Sequence, residues 1–268
     1  MKDIKNLATA IRQNALRMVH QSNASHIGSA LSIADIVAVL YERVLNTDPE
    51  NPGLATRDRF ILSKGHACVA VYSALAVKGF FPLSLLAEYA KDHSIMMSHI
   101  SNKVPGVEFS TGSLGHGLPF GTGKALAAKM NAQAWRTVVL LSDGELGEGS
   151  NWEAMMFAAH HQLENLIAIV DYNKLQSLTT VEKTLRVEPL AEKARAFGWS
   201  VREVDGHDHN ALAEMLEKAP WESGKPSFLI AHTTKGKGVS FMENKVEWHY
   251  KSPSSAQLNE ALEELRHA

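Results

Sequence analysis

The sequence predicts an α/β fold, a mostly parallel sheet with helices on both faces, from three observations. Short apolar runs rich in β-branched residues, Thr137–Leu141 and Leu166–Val170 among them, have the make-up of strands buried on both faces. A stretch of helical composition, Asn151–Gln162, lies between these two runs. Strands joined through a helix run parallel, with their carboxyl ends at one edge of the sheet. Strand-like runs also end repeatedly in polar glycine turns: Ser63–His66, Ser142–Gly144 and Thr233–Gly238. Open α/β sheets bind ligands at that carboxyl edge, where Asp143 and Asn173 are expected.

Ile4, Leu7, Ile11, Ala15 and Met18 fall at helical spacing and predict an amphipathic first helix to about His20. A small polar turn carrying His26 follows. Ser32, with Asp35 three positions on, reads as a capping box opening a helix of Ile33, Ile36, Val37 and Leu40. Asp48–Asp58 is a loop with two prolines, Arg59–Leu62 a short strand, and Val69, Tyr72 and Leu75 mark a helix. From Asp92 to Gly123 no period is sustained; this glycine-rich stretch, with His93, His99 and His116, reads as a long binding loop. Its low charge and its Met, Phe and Val content count against disorder. Gly115-His116-Gly117 lacks the third glycine of a dinucleotide fingerprint, and Gly121–Lys124 lacks the spacing and hydroxyl of a Walker loop. Later elements are predicted as a helix over Ala191–Phe197, a strand over Trp199–Val204 and a helix over His209–Ala219. A buried strand over Pro226–His232 follows, and a helix at about 254–268 closes the chain with Leu258, Leu262 and Leu265 on one face. No repeat, linker or low-complexity tract divides the sequence, so a single domain over 1–268 is expected.

At 268 residues and 45% hydrophobic content the chain can bury a full core. Its net charge of −2 argues against a polyanion-binding surface. The lone Cys68 excludes an internal disulfide, fits a reducing compartment and reads as a small buried side chain. The amino terminus lacks the apolar core of a signal peptide, and no run reaches the roughly twenty apolar residues of a membrane span. A cytoplasmic protein is expected.

Asp143 supplies a carboxylate, Asn173 an amide oxygen and the turn at Leu175 a backbone carbonyl. Three hard oxygen donors suit Mg²⁺ or Ca²⁺, and Mg²⁺ favours completion by phosphates and water. Gly144 would let the backbone approach a ligand, and the helix start after it offers free N–H groups to an anion. Alone, these residues are equally those of a capped helix and an ordinary loop. Among thirteen histidines, His160, His161, His207, His209 and His267 are read as structural. His26 and His66 follow element ends and His99 lies in the long loop, so all three can face one sheet edge as neutral donors or proton carriers. Gly112, Gly115 and Gly117 could lay backbone amides against a flat ring or a phosphate.

An Asp-Gly followed by an Asn 173 − 143 = 30 positions on, across a helix and a second strand, resembles the thiamine-diphosphate motif. That motif is usually Gly-Asp-Gly … Asn-Asn; here it stands as Ser142-Asp143-Gly144 … Tyr172-Asn173, one residue off in each half. SHIGSALSIADI, RFILSKGHA, PGVEFSTGSLGHG, SDGELGEGSNWEA, LIAIVDYNKLQ and AHTTKGKGVSFMENKVEWH together resemble the amino-terminal, diphosphate-binding part of transketolase over nearly the whole chain. The resemblance implies the thiamine-diphosphate-binding (PP-type) fold. Full transketolases continue into pyrimidine-binding and carboxyl-terminal domains, so it further implies the smaller subunit of a split transketolase. A partner chain would carry those domains, with two copies of each chain.

By that resemblance Asp143, Asn173 and the Leu175 carbonyl would hold Mg²⁺ against the diphosphate, Gly144 would touch the diphosphate, and Gly112 and Leu114 would line the cofactor. His66 would reach the cofactor phosphate, and His26 and His99 would flank the donor sugar. His249 would lie near the diphosphate and substrate, although Tyr250 follows it where glycine is usual. Glu148 and Glu153 match acids at the subunit interface, a place that a helix N-terminus would also favour. The activity implied is transfer of a two-carbon ketol unit from a ketose phosphate to an aldose phosphate, with the initiating glutamate on the partner's pyrimidine domain. Other readings are the alpha chain of a 2-oxo-acid dehydrogenase, a 1-deoxyxylulose-5-phosphate synthase-like fragment, and a non-catalytic partner-binding or regulatory subunit keeping the fold.

Overall fold

A computed structural model describes residues 2–267. Five strands form a parallel sheet: β1 (Arg59–Leu62), β2 (Thr137–Ser142), β3 (Leu166–Tyr172), β4 (Ser200–Asp205) and β5 (Ser227–His232), in the order β1-β2-β3-β5-β4. Ser142 stands opposite Asp171, and Asp171 opposite Ala231, so the central strands end level at one edge. The helices in the first half are α1 (Lys2–Ser22), α2 (Ile27–Ser32), α3 (Ala34–Val39), α4 (Cys68–Val77) and α5 (Gly117–Met130). Those in the second half are α6 (Gly149–His160), α7 (Val181–Thr184), α8 (Leu190–Ala196), α9 (His209–Glu217) and α10 (Ser255–His267).

Strand side chains alternate between two cores, as the period of a pleated strand demands. Val138, Leu140, Ile167 and Ile169 pack with residues of α1, α3, α4, α9 and α10. Val139, Leu141, Ala168 and Val170 pack on the opposite face with residues of α5, α6 and α8. Cys68 is buried beneath the first layer, where desolvation pushes its thiol up to about 12.

Two expectations give way. The glycine-rich stretch ends sooner than its composition suggests, because α5 begins at Gly117. Pro119 is tolerated in the first helical turn, and at Gly121 an added Cβ would lie 2.5 Å from Val139 Cγ2. Close packing of helix on strand therefore demands a residue that hid the helix. Nor do Ser32 and Asp35 form a capping box: Ser32 Oγ donates to Asp171 Oδ2 at 2.7 Å, and Asp35 binds Arg12, His207 and His209. The helix breaks at Ile33 into α2 and α3 instead.

Candidate active site

Four strand ends deliver four turns to one cleft of about 210 Å³. β1 brings Lys64 and His66, β2 brings Asp143 and Gly144, β3 brings Asn173 and Leu175, and β5 brings Lys235. Asp143 is 1% exposed; its Oδ1 accepts from Gly144 N at 2.7 Å and its Oδ2 accepts from Lys174 N. Lys174 adopts a left-handed backbone, φ 66°, which curls the turn back toward that carboxylate. Burial, and after it the Asp171 anion, pushes the Asp143 carboxyl up to about 7. Among the described residues no salt bridge reaches it.

Asp171 is the counterpart whose charge is answered. It is fully buried and accepts from Lys64 Nζ, Thr233 Oγ1, Ser32 Oγ and, at 3.0 Å, Asn173 Nδ2. Burial alone would raise its carboxyl, but Lys64 and the hydroxyls outweigh that and hold it below the usual carboxylate range. By taking Nδ2, Asp171 fixes the Asn173 amide, and Oδ1 accepts from Leu175 N at 3.0 Å. The Leu175 carbonyl accepts from Lys235 Nζ at 3.3 Å. Each of those oxygens keeps a second lone pair. A buried carboxylate lacking a cation, a pinned amide oxygen and a carbonyl on the cleft wall fit a hard divalent ion. Among the described residues no group of three or more His, Cys, Asp or Glu is placed to hold a metal, so an ion here would rest on this mixed oxygen set. At Gly144 an added Cβ would lie 2.7 Å from Gln176 Cγ, so a larger residue would crowd the turn.

His26, His66, His99 and His249 come together. The His26 ring centroid lies 5.2 Å from His66, 5.8 Å from His99 and 5.0 Å from His249. His26 sits at φ 73°, and its N–H donates to His249 O at 2.7 Å, which ties the first turn to the last. His249 is carried by the buried Trp248, whose Nε1 donates to Phe241 O at 3.0 Å. Burial, then His99 and the lysines, lowers His26 to about 4, and burial, then Lys235, lowers His249 to about 3; burial chiefly lowers His66 and His99 as well. All four imidazoles are therefore neutral near pH 7. Lys235 Nζ approaches His249 Nδ1 at 2.9 Å, and burial, then Lys64, lowers its amine to about 8.

Leu114 lines the cleft, whereas Gly112 lies beside His99 and outside the lining. Tyr250 reaches the cleft mouth, 58% exposed, 4.8 Å from the His249 ring. Tyr172 turns away to donate to Glu188, and Ser142 lines the cleft, so neither departure from the motif blocks it. Glu148 and Glu153 are exposed at the start of α6, away from the cleft.

Sequence reasoning passed over Lys64, Asp171, Lys235 and Glu145. The first three stand in or beside the polar turns at strand ends, which was the available signal. Glu145 is 0% exposed and accepts from Gly115 N at 2.9 Å, Ser142 N at 3.1 Å and Ser63 Oγ, joining three turns.

Residues 4–265 match the protein family described as "Transketolase, thiamine diphosphate binding domain". One subunit of the apulose-4-phosphate transketolase from Actinobacillus succinogenes is 43% identical over 266 residues, 98% of this chain and 96% of its own. A 6-deoxy-6-sulfo-D-fructose transketolase subunit from Clostridium sp. is 39% identical over 264 residues, again 98% and 96%. The crystal structure of transketolase from Campylobacter jejuni superposes with a TM-score of 0.92 at 31% identity, covering 99% of this chain and 43% of that one.

Proposed function

The chain belongs to the transketolase family through its thiamine-diphosphate-binding domain, and on that premise we propose that its cleft holds the diphosphate through Mg²⁺ on Asp143, Asn173 and the Leu175 carbonyl. It is one subunit of a thiamine-diphosphate-dependent transketolase, a transferase of two-carbon ketol units. The observation that carries the metal assignment is Asp143: a buried carboxylate, fixed by two backbone N–H groups, with no salt-bridge partner among the described residues. Ca²⁺ would satisfy the same donors.

When bound, thiamine diphosphate supplies the carbon centre that takes the ketol unit from a ketose phosphate and yields it to an aldose phosphate. The chain's own residues hold and orient. Gly144 and His66 would face the diphosphate, with Lys235 adding positive charge, and Leu114 would border the cofactor, with Gly112 behind it beside His99. His26, His99 and His249, kept neutral, donate hydrogen bonds to sugar hydroxyls and carry protons between them. Because Lys235 occupies Nδ1 of His249, its Nε2–H is the group left to donate.

A partner chain supplies the pyrimidine-binding domain and the initiating glutamate, with two copies of each chain. Relatives of matching length described as subunits support this, as does α6: Glu153, Met156 and Phe157, at i, i+3 and i+4, are exposed, the last two by 55% and 43%. Glu148 and Glu153 would then meet the opposite copy. We place the enzyme in the cytoplasm, with Cys68 reduced, and read 1–268 as one diphosphate-binding unit; no helix among the described residues is long and apolar enough to cross a membrane.

Co-expression with a pyrimidine-domain chain, followed by a ketol-transfer assay, tests the assignment. Activity should require both chains, thiamine diphosphate and Mg²⁺; full activity from this chain alone would refute the partner, and metal-independent activity would refute the ion.

A further inference from the structure

The turn after β5 is held from behind by residues that touch neither the cleft nor its ligand. Asp35, 5% exposed on α3, accepts from Arg12 Nη1 at 3.1 Å, His207 Nδ1 at 2.7 Å and His209 Nε2 at 2.8 Å. Two of those partners then reach the turn. Arg12 Nε donates to Lys237 O at 3.0 Å, and His207 Nε2 accepts from Thr234 N at 2.9 Å. A ring nitrogen that accepts from a backbone N–H carries no proton, so His207 is the Nδ1–H tautomer donating to Asp35. The turn aims two side chains inward: just before the first pinned point Thr233 Oγ1 donates to Asp171, and between the two points Lys235 Nζ reaches Leu175 O, Gln176 O and His249 Nδ1.

We propose that Arg12, Asp35 and His207 are positioning residues, a brace that sets the 233–238 turn and so places Lys235 against the diphosphate. The brace rests on the function proposed above only in naming what Lys235 faces. His207 performs two separable tasks, donation to Asp35 and acceptance from Thr234. Asparagine reproduces the first through its amide nitrogen near the Nδ1 position; glutamine reproduces the second through its carbonyl oxygen near the Nε2 position.

Hydrogen exchange at the Thr234 amide and thiamine-diphosphate titration of the Mg²⁺-loaded two-chain complex test this with His207→Asn and His207→Gln. Because His207→Asn keeps Asp35 paired, a folded variant is expected, with a melting temperature close to wild type. Thr234 should exchange about fivefold faster in His207→Asn, the scale of one lost hydrogen bond, and cofactor affinity should fall severalfold. His207→Gln keeps the acceptor for Thr234 but gives up the bond to Asp35, so it should recover most of the Thr234 protection and of the affinity without reaching wild type; full recovery would overturn the part assigned to Asp35. Unchanged Thr234 exchange in His207→Asn would overturn the brace; faster exchange with unchanged affinity would overturn its role toward the cleft. A wild-type complex that bound no thiamine diphosphate would instead sink the assignment of the cleft, while the exchange measurement still judged the brace.

Discussion

Replacing Asp171 with Asn removes the anion opposite Lys64 while keeping the side chain's shape. Lys64 is 1% exposed and its ammonium donates to Asp171 Oδ2, so the substitution leaves a buried cation without a counter-charge. Breaking a buried pair from one side costs about 3–5 kcal/mol. In a chain of this size about 1 kcal/mol moves the melting temperature by roughly 2–4 °C, so a fall on the order of 10 °C is expected. The same change leaves one neutral amide oxygen, a weaker acceptor than the carboxylate, to orient the Asn173 amide, so Mg²⁺-dependent cofactor binding should weaken with it. Urea unfolding of Asp171→Asn, Lys64→Met and the double variant isolates the pair. The double variant should be more stable than the sum of the single losses by about 2 kcal/mol or more, because neither charge is then stranded. Losses that add to within about 0.5 kcal/mol would refute the coupling.

Asp143→Asn should weaken Mg²⁺-dependent thiamine-diphosphate binding on the order of 100-fold, read by calorimetry on the two-chain complex. It should also raise the melting temperature of the ligand-free chain at neutral pH, since it removes a buried, unanswered carboxylate; a lower one would count against that picture. Gly65→Ala places a Cβ 2.3 Å from Thr111 O, a backbone atom that cannot step aside, so a loss of about 1–3 kcal/mol is expected, and an unchanged denaturation midpoint would contradict the packing. His26 and His249 titrate lower in the fold than in the unfolded chain, so the unfolded state binds the extra proton and stability falls as pH drops through about 6.5. Asp143, raised by burial, works in the opposite direction below pH 7, so the measurement is a difference. Between pH 7.5 and 5.5 wild type should lose more melting temperature than His26→Asn/His249→Asn; an equal loss would show that the imidazoles are already accessible to protons.

The strands were legible because a parallel strand covered on both faces must be apolar throughout, and β1 to β3 and β5 carry that mark. Asp143 and Asn173 were legible because turn chemistry concentrates at strand ends. The helix α5 was not: its glycines and proline read locally as loop, and only contact with β2 explains Gly121. Asp171 was hidden differently. It terminates an apolar run, and nothing within that run announces a lysine 171 − 64 = 107 positions upstream. His207 looked structural and is so placed, but its partner Thr234 lies 27 positions on, in the turn after β5. Local pattern reports what each segment can become; it is silent on which distant charge will answer it.

The parallel order of the sheet gives the cleft a mechanical character. Residues 64, 143, 173 and 235 come from the ends of four different strands, so a molecule gripping all of them acts as a clasp across β1, β2, β3 and β5. Prising apart any neighbouring pair of these strands would release it. Occupancy at about one hundred times the dissociation constant therefore adds roughly 2.7 kcal/mol to the opening of the whole sheet rather than to the closure of a single turn. Saturation should be visible as slower proteolysis far from the bound molecule, in the strands' own hydrogen-bonded cores.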